Sequence, residues 1–119
     1  MKKILLIEDD ANFAKVLKAE LEGDGYHVDV VGDGVEGVLR AVDEKYDMAL
    51  IDVIMPTLNG INATRILKKM DAKMPIISFS GKIAPEEISE PVNAGAVIFA
   101  QKPFSTSWML SQIKWVMDD

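Results

Sequence analysis

The chain has 119 residues, 49% of them hydrophobic and 27% charged, with a formal net charge of −6 and no cysteine. This is the length and composition of one soluble domain with its own core. The acidic balance makes it a poor direct binder of nucleic-acid phosphates; the missing thiols exclude disulfides and thiolate metal sites. A single histidine, His27, cannot supply a triad or a multi-histidine metal centre.

Apolar runs alternate with amphipathic stretches. Lys3–Ile7 reads as a first strand that runs straight into Glu8, Asp9 and Asp10, too short for a signal-peptide core or a membrane span. Ala11–Gly23 follows as a helix, with Phe13, Val16, Leu17 and Leu21 on one face and Gly23 at its end. His27–Val31 is the second strand, and Val35, Val38, Leu39 and Val42 recur at helical spacing after it. Met48–Asp52 is the third strand, and residues 61–70 form a helix expected to bury Ala63, Ile66, Leu67 and Met70. A fourth strand at 76–79 follows Pro75, then a weaker helix within 85–94, a fifth strand at 97–100 and a last helix from Thr106 to Met117, N-capped by Ser105. This is a (βα)5 string over one domain, 1–119, without repeat or linker. It predicts a parallel sheet with helices on both faces; 4–7, 48–51 and 97–100 read as the unbroken apolar runs of strands buried on both faces.

In such a sheet, ligands bind at the carboxyl ends of the strands, where strand order reverses. Strand one ends in Glu8-Asp9-Asp10, strand three in Asp52, strand four in Ser80, and strand five just before Lys102-Pro103. Crowded carboxylates repel unless a cation neutralises them, and an all-oxygen cluster suits Mg2+. Lys102 offers a mobile positive charge and Ser80 a hydroxyl donor. A nucleophilic carboxylate, a metal site and two oxygen clamps are the parts needed for phosphoryl transfer to an aspartate, Asp52.

Ile4-Leu5-Leu6-Ile7-Glu8-Asp9-Asp10, Leu50-Ile51-Asp52-Val53-Ile54-Met55-Pro56 with Gly60, Ser80-Gly81, and Lys102-Pro103-Phe104 resemble the receiver domain of two-component response regulators. The resemblance covers essentially the whole chain. It implies a flavodoxin-like doubly wound sheet of order 2-1-3-4-5 and a phosphorylation-dependent switch fed by a partner histidine kinase or phosphotransfer protein, not a turnover enzyme. By the same resemblance, Glu8, Asp9, Asp52 and the backbone carbonyl of Ile54 hold Mg2+. Asp52 takes the phosphoryl group, Lys102 contacts it, Ser80 and Phe99 act as the switch pair, and the Lys102–Pro103 bond is cis. Helix four, strand five and helix five form the output surface, for a downstream protein or a second copy. The cytoplasm is the expected location, and readout by binding is expected, as a stand-alone regulator, a relay or a receiver cut from a longer protein.

Some positions depart from the family pattern. Glycine follows Ser80 where alanine is commoner, Phe99 has no hydroxyl, and Pro91 falls where the interior of helix four should be, so that this helix is either broken or begins late. Ile54 and Lys82, each two residues past a site residue, flank the position of an attacking water, and Ile54 cannot orient one. Two rival readings stand beside the receiver. Gly32-Asp33-Gly34-Val35-Glu36-Gly37 matches the dinucleotide-binding G-x-G-x-x-G, though after strand two and with acids beside the would-be pyrophosphate. The other rival is a receiver-like platform that takes no phosphate. Asp10 or Asn12 reads as a helix cap, His27 as a surface residue, and the methionines as core filler. Trp108 and Trp115 share one face of the last helix; the resemblance implies that Met109, Ile113 and Val116 turn inward, and the tryptophans either flank the core or form a contact surface.

Overall fold

The computed structural model describes residues 1–55, 57–81 and 83–117; Pro56 and Lys82 of the sequence reading lie outside the described residues. Five strands, β1 (Lys3–Ile7), β2 (His27–Val31), β3 (Met48–Asp52), β4 (Ile76–Ser80) and β5 (Ile98–Gln101), form one parallel sheet in the order β2-β1-β3-β4-β5. The helices are α1 (Ala11–Gly23), α2 (Gly34–Asp43), α3 (Gly60–Met70), α4 (Glu90–Asn93) and α5 (Thr106–Met117). The flavodoxin-like order expected from the resemblance is therefore present.

The central strands are buried on both faces, which is why they read as continuous apolar runs. Alternate residues feed two cores. Ile4 and Leu6 pack with Leu17, Leu21, Met109 and Ile113 under α1 and α5, whereas Leu5 and Ile7 pack with Leu67, Met74 and Ala96 on the other side. Asp10 caps α1, accepting from the N–H groups of Asn12 and Phe13, and Ser105 caps α5 by accepting from Trp108 N–H at 3.0 Å. Met109 and Ile113 are buried, and Trp108 and Trp115 are 40% and 65% exposed.

The structure corrects several sequence expectations. β5 begins one residue later than 97, β4 extends to Ser80, and α3 begins at Gly60. The weak fourth helix is both broken and late: Pro85–Glu87 form a 3-10 turn, and α4 starts afresh at Glu90. Pro91 sits in that first turn, where its missing N–H costs nothing; one continuous helix would have driven its ring into the preceding turn. Ile66 and Met70, expected to be buried, are exposed, and so are Val16, Val35, Leu39 and Val42 of the α1 and α2 stripes. For α2 the reason is clear. It docks through Gly34 and Gly37, where a Cβ would overlap the Leu58 backbone and the Ile7 side chain.

Candidate functional site

The residues at the strand ends do converge. Glu8 directly follows β1, its backbone N–H tied to Val31 O, and its side chain is buried. Asp52 is the last residue of β3 and is 6% exposed. One of its oxygens accepts the Ile54 N–H at 3.0 Å. Asp9 stands exposed beside them, and one carboxylate oxygen from each of Glu8, Asp9 and Asp52 fits within 4.8 Å of the others.

Lys102 reaches this cluster from the end of β5. Its Nζ donates to Glu8 Oε1 at 2.8 Å and to Asp52 Oδ2 at 3.3 Å, while its backbone N–H donates to Ser80 O. The Lys102–Pro103 bond is cis. Burial raises the Glu8 pKa, and the neighbouring Asp52 charge adds to that; Lys102 and the Asp10 N–H offset it only in part. For Lys102, burial works against the charge, but the Glu8 hydrogen bond and the Asp52 charge outweigh it and raise the pKa. The cluster thus favours a cation, and three converging carboxylates are donors of the kind Mg2+ takes.

Two further features complete the rim. Ser80 ends β4 fully buried, one register step past the Asp52–Phe79 pair, and it faces Gln101 of β5. Phe99 is half-buried on β5 and pairs with Ser78, two residues before Gln101. The α3 N-terminus presses on Asp52: Gly60 N–H donates to Val53 O at 2.8 Å, and a Cβ on Gly60 would overlap the Asp52 carbonyl. In the same loop Thr57 holds φ 67°, a costly conformation for a β-branched residue. Ile54 is 56% exposed at the mouth of the site.

Sequence reasoning missed the wall behind Lys102. Its ammonium lies 4.1 Å from the Phe13 ring centroid and 5.2 Å from that of Phe79, and both rings pack against Phe104. The sequence places Phe13 on one face of α1, and nothing in its spacing points to a lysine 89 positions later. The glycine-rich decoy, by contrast, has a packing explanation. Asp33 caps α2 by accepting the Glu36 N–H at 2.8 Å, and Gly34 and Gly37 are the contact points described above.

Residues 4–114 match the response regulator receiver domain family. The chain belongs to this family. It is 33% identical over 111 residues to the uncharacterized transcriptional regulatory protein YkoG of Bacillus subtilis, covering 93% of this chain and 49% of that protein. It is 32% identical over 114 residues to the response regulator ArlR of Staphylococcus saprophyticus, covering 96% and 51%. The chain therefore spans about half the length of these relatives. Among solved structures, a CheY-like receiver domain protein from Methanospirillum hungatei superposes with a TM-score of 0.95 at 29% identity, covering 99% of this chain and 94% of that one. The receiver domain of sensor histidine kinase PA1611 from Pseudomonas aeruginosa, solved with a magnesium ion coordinated in its active-site cleft, gives 0.91 at 28% identity and covers 99% and 98%. Among the described residues, no helix of this receiver domain is long and apolar enough to cross a membrane.

Proposed function

We propose that this receiver domain is a phosphorylation-dependent switch that accepts a phosphoryl group on Asp52 from a phosphohistidine of a partner kinase or phosphotransfer protein. The observation that carries this reading is the buried Asp52 carboxylate, held in a cluster with Glu8, Asp9 and the Lys102 ammonium. An Asp52 oxygen attacks phosphorus as the donor's P–N bond breaks; the leaving imidazole keeps the bonding electron pair and takes up a proton. Ile54 N–H fixes the carboxylate's orientation, which limits the attack geometry. Glu8, Asp9, Asp52 and the Ile54 carbonyl would hold Mg2+, which supplies charge neutralisation for the phosphoryl oxygens. Lys102 has a flexible stem and can exchange its Asp52 contact for a phosphoryl oxygen. The Ser80 hydroxyl is assigned to another phosphoryl oxygen, and Phe99 to following its movement inward along β5 toward the α4–β5–α5 face.

The chain then acts as a signalling module rather than a turnover enzyme. Its partners are a histidine phosphodonor and a downstream protein, its location is the cytoplasm, and any second copy meeting the output face does so through α4, β5 and α5. The test is phosphorylation by acetyl phosphate with and without Mg2+, read by intact mass. Wild type should gain an acid-stable, base-labile phosphoryl group only with Mg2+, and Asp52→Asn none. A wild-type chain that responds neither to acetyl phosphate nor to beryllofluoride would instead be a constitutive interaction platform. Ile54 offers no hydrogen bond to an attacking water, so phosphate loss should be slow and Ile54→Asn should speed it by roughly tenfold.

A further inference from the structure

Helix α2 turns three of its four large aliphatic residues outward, Val38 alone packing on the core. Its buried side is Gly34 and Gly37, whereas Val35, Leu39 and Val42 are 44%, 58% and 64% exposed. Their spacing of four and three places them in one stripe along the helix. On neighbouring α3, Ile66 and Met70, one turn apart, are 38% and 43% exposed.

Two cavities orient these stripes. One of about 210 Å³ is lined by Ala41, Tyr46, Leu67, Met70 and Met74, between the C-terminal ends of α2 and α3. Met70 therefore faces α2, as does Ile66 a turn before it. The other cavity joins Glu36, Leu39, Arg40 and Asp43 to Val30 and Val31 of β2. That flank of α2 points away from α3, so Val35 and Val42 border the side toward α3. Val35, Val42, Ile66 and Met70 thus line a shallow apolar channel between two parallel helices, with Leu39 on its shoulder.

Beyond the channel, on their outer flanks, the two helices carry opposite charge. On α2, Glu36 and Asp43 are exposed, and the helix's one arginine is turned to Asp29 on β2 at 3.5 Å. On α3, Arg65 and Lys69 are exposed, and Gly60–Met70 contains no acidic residue. A half-turn about the channel's long axis lays an acidic α2 over a basic α3 and buries the aliphatic stripe between them. That is the self-complementarity an isologous contact requires, and a contiguous apolar patch of this kind marks an interaction site.

We propose that the α2–α3 face docks a second copy of this chain, α2 of each copy lying on α3 of the other. This contact is separate from the α4–β5–α5 face.

The test is sedimentation equilibrium of the full chain from about 10 μM to about 1 mM, a range that reports weak association. A concentration-dependent dimer is expected. Val42→Glu and Ile66→Glu should each raise its Kd by about tenfold or more. Reversing α2 (Glu36→Lys with Asp43→Lys) or α3 (Arg65→Glu with Lys69→Glu) should do the same. Combining all four should bring the Kd back to within about threefold of wild type, since opposite charges then face each other again. Restoration by the fourfold variant also shows that the two double variants had not merely unfolded, which circular dichroism checks directly. A monomer at every concentration overturns the proposal. So does a dimer insensitive to these changes but weakened by Trp115→Lys or Val92→Lys, or a fourfold variant as weak as the doubles.

Discussion

Two stretches of the rim at the carboxyl ends of the strands are built to opposite standards. Around β1 and β3, Glu8 and Asp52 are 2% and 6% exposed, share one ammonium, and abut a helix start with no space for a side chain. Between β4 and β5, the regular structure among the described residues is a three-residue 3-10 turn and a four-residue helix, with Ile88 and Val92 42% and 49% exposed. Asp52, the proposed acceptor, is held without slack, and the connection that would relay its state has few buried anchors. Rigidity placed at the chemistry and low local stability placed at the moving part is the division of labour a switch needs.

The strongest way to break that comparison is to remove the cation. Lys102→Ala leaves two buried carboxylates side by side and should cost about 4 kcal/mol in urea unfolding without divalent metal, because a broken buried pair strands its charge. Added Mg2+ should recover part of the loss, and more than it adds to wild type. A loss below about 1 kcal/mol would show that Glu8 simply takes up a proton and that the rim is less tightly bound than its geometry indicates.

Gly60→Ala comes next. Its Cβ would overlap the Asp52 carbonyl and lie 2.7 Å from Val53 Cα, both backbone atoms that cannot swing aside. A cost of about 3 kcal/mol and slower phosphorylation by acetyl phosphate are expected. Unchanged melting and unchanged phosphorylation would mean that the β3–α3 loop has slack after all.

How much of this was visible in the sequence follows from what each signal records. Buried parallel strands leave a contiguous apolar run, so β1 and β3 could be bounded from composition alone, and the rim residues followed from where those runs end. Helical periodicity records that a stripe exists, not which side the core lies on. On α2 the fully buried residues are glycines, which carry no apolar signal, so the stripe of Val35, Val38, Leu39 and Val42 did not reveal that all but Val38 are surface. Contacts between distant positions left no local trace either. The Phe13 and Phe79 faces under Lys102 are one case. The other is the network on the β2 side of the sheet, where Tyr46 O–H donates to Asp29 at 2.7 Å, with Arg40 3.5 Å and His27 3.1 Å from the same carboxylate.

That network sharpens the comparison by supplying a stabilising cluster independent of the rim. Tyr46→Phe should cost about 2 kcal/mol, the scale of a hydrogen bond to a charged group, and leave phosphorylation unchanged. The pH dependence follows from two shifts of opposite kind. Burial alone would raise the Asp29 carboxyl, but the Tyr46 hydrogen bond and the His27 and Arg40 charges outweigh it and hold the pKa below its usual 3.8. Its contribution is therefore present above pH 3.8 and lost as pH falls through the lower folded-state value. Burial and the Asp29 hydrogen bond raise the Tyr46 phenol above its usual 10.0, so the unfolded chain loses that proton first and stability falls as pH rises beyond 10.0. Melting curves of Tyr46→Phe should be flatter at both ends, and a parallel downward shift would count against this assignment.

The smallest effect tests the loose side of the rim, and its sign is reversed. Gly81 follows Ser80, but its φ is not positive, and a Cβ there would meet only Lys102 Cδ and Cβ at 3.7 and 3.8 Å, an ordinary contact. Gly81→Ala should therefore stabilise the fold by up to about 1 kcal/mol, by narrowing the unfolded ensemble without straining the folded one. If looseness here only marks weak packing, phosphorylation and its structural response will be unchanged. If the connection must give way for Ser80 to move, Gly81→Ala will raise stability yet blunt the change in amide exchange that beryllofluoride produces across 86–94. In the unphosphorylated chain that segment should exchange faster than α3 or α5, since a 3-10 turn and a four-residue helix protect few amides. Uniformly high protection from 86 to 94 would remove the contrast between the two sides of the rim, and with it the physical reason for expecting the signal to leave by that route.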